Sequence, residues 1–195
     1  MLLAHNNPDH KQHRYYDEKI SGCEIDLKVD KSAHVFQGCE IKDCVILLNC
    51  NNAVAQSVLS SNKWINCHFR PKKEMSLPTI EADFVECRFS GKWSLRFDGT
   101  VDACDFTEAN LIFAAFYKTD RIQENRIKGE STFVIEDLKT NYKKIKEKLS
   151  GKTRFGIHIR PEMSMIVFDI EKQKDSNVLR ELLSEFDSNT QKGMA

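Results

Sequence analysis

No apolar run in the chain approaches the ~18 to 20 residues needed to cross a bilayer, and the opening stretch MLLAHNNPDHKQHR has neither the basic start nor the apolar core of a secretory signal. These absences lead us to expect a cytosolic protein with no membrane partner. An excess of one charge is missing too, since 29 Lys and Arg face 29 Asp and Glu. With 41% hydrophobic residues in 195, that balance excludes a mostly disordered chain and leaves room for one medium domain, or one domain with an appendage. Neither C-x-x-C nor C-x-C occurs, so zinc ribbons and thioredoxin-like redox motifs are not indicated. There is no phosphate loop, dinucleotide fingerprint or nucleophile elbow.

What the chain does have is seven cysteines in a pattern. Most are followed two residues later by Ile or Phe, and they expose a repeat of the form Φ-x-x-C-x-Φ, with Φ a large apolar residue. Five ten-residue blocks carry it: EKISGCEIDL (18–27), CEIKDCVILL (39–48), NKWINCHFRP (62–71), ADFVECRFSG (82–91) and GTVDACDFTE (99–108). Successive blocks start 21, 23, 20 and 17 residues apart. Three columns align: Ile20, Ile41, Trp64, Phe84, Val101; then Cys23, Cys44, Cys67, Cys87, Cys104; then Ile25, Ile46, Phe69, Phe89, Phe106.

A period near twenty fits a leucine-rich repeat or a β-solenoid. The leucine-rich pattern, with its fixed Asn, is absent. Small-x-large at five-residue steps is present instead, and residues two apart in an extended segment share a face. Turning the chain at each step points both inward, and stacking coils at about 4.8 Å closes the interior. We therefore expect a mainly β fold: a short, narrow parallel β-helix of about five coils. The stretches between blocks carry Val35, Phe36, Val58, Leu59, Met75, Leu77, Trp93, Leu95 and Phe97, which would form the remaining sides. NCNNAVAQSVLSSN (49–62) reads as turn-rich, and KKEMSLP (72–78) as a loop. The cysteines are expected to be buried free thiols, because parallel Cβ vectors suit a disulfide poorly.

These residues resemble the pentapeptide-repeat family, whose unit is approximately [Ala/Cys/Ser/Thr/Val]-[Asp/Asn]-[Leu/Phe]-x-x. The best matches are ADFVE and CRFSG (82–91) and CDFTE, ANLIF and AAFYK (104–118), with HVFQG, CEIKD and CVILL (34–48) less faithful. The resemblance spans about residues 18–118 and implies a four-sided right-handed β-helix. Spacings of 17, 21 and 23, and Glu18 and Trp64 at their positions, depart from it. Several members of that family are thought to mimic DNA and bind topoisomerases, which requires a strongly acidic surface. Residues 18–118 here hold 12 basic and 14 acidic side chains, which argues against mimicry and makes nucleic acid an unlikely partner class.

Beyond residue 118 the pattern changes. Ile135, Leu138, Tyr142, Ile145 and Leu149 form a helical stripe, opposite Lys139, Lys143, Lys144, Lys146 and Lys148. FGIHIR (155–160) and MSMIVFDI (163–170) read as a hairpin turning at Pro161, and Asp175, Ser176 or Asn177 as the cap of a last helix with Val178, Leu179, Leu182, Leu183 and Phe186 on one face. The expected organisation is an arm (1–17), the solenoid (18–118) and a helix, hairpin, helix α/β cap (119–195) with a disordered tail. The last helix is a candidate homodimer contact.

Three groups of residues invite a chemical reading. His5, Asp9, His10, His13 and Asp17 have metal-ligand types, but nothing completes a motif, so they read as a solvated arm. Cys67 and His68 fall on opposite faces of one strand, and His158, Arg160 and Glu162 lack a paired acid or a nucleophile turn. The sequence therefore nominates no catalytic, cofactor-binding or metal-ligating residue. It is read as a non-catalytic module that binds an unidentified protein partner. The alternatives are a modulator of a DNA-processing enzyme such as a topoisomerase, or an enzyme with a site where solenoid and C-terminal unit meet.

Overall fold

A narrow coil must turn sharply several times per repeat, and the backbone shows where. In a computed structural model describing residues 2–4, 14–28, 35–119, 126–127 and 131–187, one set of corners repeats once per coil with left-handed φ between 48° and 64°: Gly22, Asp43, Asn66, Glu86 and Ala103. Each immediately precedes one cysteine of the repeat column. Only glycine adopts this conformation freely, so a ladder of four non-glycine corners is a cost the stack must offset. It does so through backbone bonds between coils: the amides of Gly22, Asp43, Asn66 and Glu86 donate to the carbonyls of Lys42, Ile65, Val85 and Asp102 at 2.9–3.1 Å.

The corners divide two parallel sheets. One is formed by Lys19–Ser21, Glu40–Lys42, Lys63–Ile65, Asp83–Val85 and Val101–Asp102, and it places Ile20, Ile41, Trp64, Phe84 and Val101 in one register. The other includes Glu24–Leu27, Val45–Leu48, His68–Pro71, Arg88–Phe97 and Asp105–Phe116, with Ile25, Ile46, Phe69 and Phe89 in register. The two large-residue columns of the sequence are thus the two inward rows. Phe69, Phe89 and Phe106 stack as parallel rings with centroids 5.0 and 4.7 Å apart. Two short strands lie within the segment read as an arm: Tyr15–Tyr16 pairs with Phe36–Gln37, and Leu2–Ala4 with residues 24–26.

All seven cysteines are buried and free. The column has a local reason beyond size. After each left-handed corner the carbonyl two residues before the cysteine lies beside the thiol, which donates to it: Cys23 to Ser21 O and Cys44 to Lys42 O at 3.1 Å, Cys67 to Ile65 O at 3.3 Å, and Cys87 and Cys104 to Val85 O and Asp102 O at 3.4 Å. Cys39 repeats the device at a second corner, after Gly38, with its thiol 3.7 Å from Gln37 O. In the next coil that inward place is taken by Asn62, after Ser61. Its buried carboxamide accepts from the Cys39 amide at 3.0 Å and donates to the carbonyls of Val58, Ser60 and Phe36 at 2.9, 2.8 and 3.3 Å.

The third side stacks Met75, Leu77 and Ile80 on Trp93, Leu95 and Phe97, and these on Leu111, Ala114 and Phe116. The segment read as turn-rich is instead a helix, α1 (Asn52–Leu59). Asn51 caps it by accepting from the Val54 amide at 3.0 Å, and Val54, Ala55, Val58 and Leu59 supply the inward face that a strand supplies elsewhere. This helix absorbs the longest repeat spacing. The expected loop at 72–78 is partly strand, since Met75–Ile80 pairs with the next coil.

The C-terminal unit closes the stack by a change of strand direction. Met165–Asp169 pairs antiparallel with residues 113–116 of the last coil, and Thr132–Ile135 pairs antiparallel with it in turn. The expected hairpin is therefore wrong: residues 155–158 form a 3-10 turn, and the partner of 165–169 is the solenoid itself. The expected helical stripe is also shorter, because Ile135 lies in a strand and Asp137 takes a left-handed φ of 50° before α2 (Leu138–Leu149) starts. The last helix, α3 (Ser176–Leu183), buries Leu179 and Leu183, while Val178 is 38% exposed. The Val134 amide, on the outer edge of the sheet, donates to the buried Asp187 carboxylate at 3.0 Å. No described helix is long and apolar enough to cross a membrane.

Asn62→Ala is expected to lower unfolding free energy by roughly 2 kcal/mol in denaturant titration, because four backbone groups lose their partner in a dry site. Asn62→Asp should cost more, since it aims a second oxygen at three carbonyls. The thiols predict a pH dependence. Burial raises Cys50 to about 11 from the ordinary 9.0. For Cys67 the hydrogen bond with Cys44 pulls downward, but the bond with Cys87 and burial outweigh it, giving about 12. A raised folded value means this stability is fully present below pH 9.0 and is lost as pH climbs through the folded values. Denaturant midpoints should fall from about pH 9 upward, and a Cys50→Ala, Cys67→Ala variant should lose less over that window.

Candidate functional site

His5, Asp9, His10 and His13 lie outside the described residues. Asp17 occupies a left-handed corner at φ 53°. Among the described residues no group of three or more His, Cys, Asp or Glu side chains could hold a metal ion.

The pleat separates Cys67 and His68, as strand alternation requires: Cys67 is buried, and His68 stands on the outer face with its side chain 16% exposed. Arg70 Nε donates to His68 Nδ1 at 3.2 Å, which assigns the ring proton to Nε2. Nε2 lies 3.9 Å from the Glu108 carboxylate, beyond hydrogen-bond reach. Burial, then the Arg70 cation, holds the imidazole below its usual value of 6.5 against the pull of Glu108. Arg88 completes the patch, 3.6 Å from Asp105 and 3.8 Å from Glu108. The nearby hydroxyl of Ser90 is committed to the Phe69 carbonyl at 3.3 Å. The cluster is a charge ladder on a flat sheet, without a nucleophile or a recess.

Charges of opposite sign alternate along the other sheet as well. Lys19, Glu40, Lys63 and Asp83 occupy successive coils in register, with Lys19 3.7 Å from Glu40. Partly buried apolar residues sit among them on the outer faces, Ile65 beside Val85 on one and Val45 and Leu47 on the other.

The remaining trio separates. His158, in the 3-10 turn, faces the junction between C-terminal unit and solenoid, with Phe113 and Phe155 rings 5.9 and 6.2 Å away. It lines a pocket of about 330 Å³ with Arg96, Gln173, Phe113 and other residues of three solenoid strands. Neither Arg160 nor Glu162 reaches it, and no carboxylate lines it. Gln173 ties the units together by donating to Ile112 O and Asp169 O at 2.9 and 3.1 Å. A second cleft, of about 780 Å³, shares His158 and Gln173 and is bordered by Lys152, Arg154, Lys172 and Lys174. Sequence reasoning missed these cations because they come from two loops some twenty residues apart, each ordinary by itself.

Without an acid partner, His158 and Arg96 have the means to bind anions and lack the pairing for general acid and base work. The lysines of α2 read as a basic face are partly committed: Lys144 and Lys148 lie 3.3 and 2.8 Å from Glu185, and Lys146 donates to Gly156 O at 2.8 Å.

The fold and its surface define a β-solenoid of about five turns, built from parallel sheets and closed by a C-terminal unit with a few helices. The chain matches no family model, no curated protein and no solved structure.

Burial, then the cations Arg96 and Arg160, depress the His158 pKa below 6.5. Replacing Arg96 by Gln should move that titration back toward 6.5, read by the imidazole resonances in an NMR pH series.

Proposed function

We propose that the chain is an irregular pentapeptide-repeat-type solenoid acting as a non-catalytic scaffold that binds a protein partner. One observation carries this reading: the inward side chains are spent on packing, while the outer faces hold rigid, registered rows of mixed charge interrupted by apolar residues such as Ile65 and Val85. A backbone already fixed in flat sheets loses little entropy on docking, which favours recognition of another folded surface. The alternating row Lys19, Glu40, Lys63, Asp83 supports this over mimicry of a polyanion, which needs one continuous sign. The junction pocket, lacking a carboxylate, supports it over hydrolytic or acid–base chemistry. Because α3 spends Leu179 and Leu183 on its own core, it offers less apolar surface for a second copy than its sequence suggests.

Native affinity capture followed by reconstitution from purified components tests the scaffold. The expected outcome is a complex that co-migrates in size exclusion and survives nuclease treatment. Failure of every captured protein to re-form a complex, or a change in topoisomerase supercoiling by the chain alone, would count against it.

A further inference from the structure

Four cations without an ion pair border one cleft. Lys152 and Arg154 follow α2, Lys172 and Lys174 precede α3, all four are exposed, and they border the cleft of about 780 Å³. Among the described residues no ion pair engages any of the four, in contrast to Lys144 and Lys148. Phe155 and Leu179 give the cleft an apolar floor. The single carboxylate in its wall, Asp175, is occupied: Thr153 Oγ1 donates to it at 2.5 Å and accepts from the Phe155 amide at 3.1 Å. That bond pins the two loops together.

His158 and Gln173 line both this cleft and the junction pocket, where Arg96 adds a further cation. Cations spread over two neighbouring recesses suit an extended anionic chain better than a single ion. A nucleic-acid strand would need a row of open aromatic faces for its bases, and the cleft offers only the His158 ring: Phe155 is buried, and the Arg96 guanidinium already lies over Phe113 at 5.8 Å.

We infer that this cleft receives an extended acidic polypeptide segment, which serves as the docking strand of the protein partner. The inference rests on the scaffold reading above. It is tested by titrating fluorophore-labelled oligoglutamate into the full chain and following anisotropy. Saturable binding is expected, steeply weakened by added salt and weakened about tenfold or more in a Lys152→Glu, Lys174→Glu variant. The charge-matched control Lys139→Glu, Lys143→Glu, on the open face of α2, should bind like wild type, and all three proteins should share one thermal midpoint. Absence of binding, equal weakening in both variants, or tighter binding of oligothymidylate than of oligoglutamate overturns the assignment. A purified partner held equally by wild type and the Lys152→Glu, Lys174→Glu variant would leave the scaffold reading intact and overturn the cleft. Oligoglutamate binding lost in that variant sustains the cleft even where capture yields no partner.

Discussion

The tight corner before each cysteine is the constraint on which the rest of the molecule depends. A coil this narrow turns within one residue, and a left-handed residue does so at the cost of presenting a carbonyl to the interior. The next inward residue must be small enough to fit, and a donor there adds a second bond to a carbonyl that already accepts the corner amide of the neighbouring coil. Cysteine does both, with a weak S–H donor on a compact apolar body. At the second corner the same demand is met by Cys39 and, one coil later, by Asn62, whose larger carboxamide reaches four backbone groups at once. The period, the register of the large side chains and the chemical inertness of the thiols follow from that one geometric need.

This explains how much was legible in the sequence. Inward residues in stacked coils must repeat in register, so the columns through Ile20, Cys23 and Ile25 announced the solenoid and its strand pairing. What was hidden had local patterns that two structures share. Residues 155–160 alternate as a strand would, yet six residues cannot distinguish a period of two from a 3-10 turn that buries Phe155 and Ile159. Ile135 continues the stripe of α2 in spacing, and only the left-handed Asp137 shows that the helix has not begun. The Asn-rich start of 49–62 signalled a turn, whereas Asn51 is the cap of a helix. Of the surface, the charge balance was legible but not the cleft, because pairing Lys152 and Arg154 with Lys172 and Lys174 depends on tertiary structure.

The C-terminal unit solves a problem every open solenoid has, an exposed strand edge at its end. Arg126–Ile127 continues the parallel register at residues 105–106, and reversing strand direction at 165–169 stops it at residues 113–116. The sheet then ends on Thr132–Ile135, whose outward Val134 amide is sealed by Asp187. The same arrangement creates the cleft, since the loops that carry 152–154 and 172–174 flank the elements that close the sheet.

The Val134 to Asp187 bond also sets an order of events during synthesis. Each coil closes on residues about twenty positions earlier, so the stack can grow behind the ribosome as the chain emerges. The seal joins residues 53 positions apart and involves a carboxylate near the end of the described chain. Until that stretch is made, the Thr132–Ile135 edge stays open, and the nascent chain has a defined interval in which it is vulnerable to pairing with a neighbour.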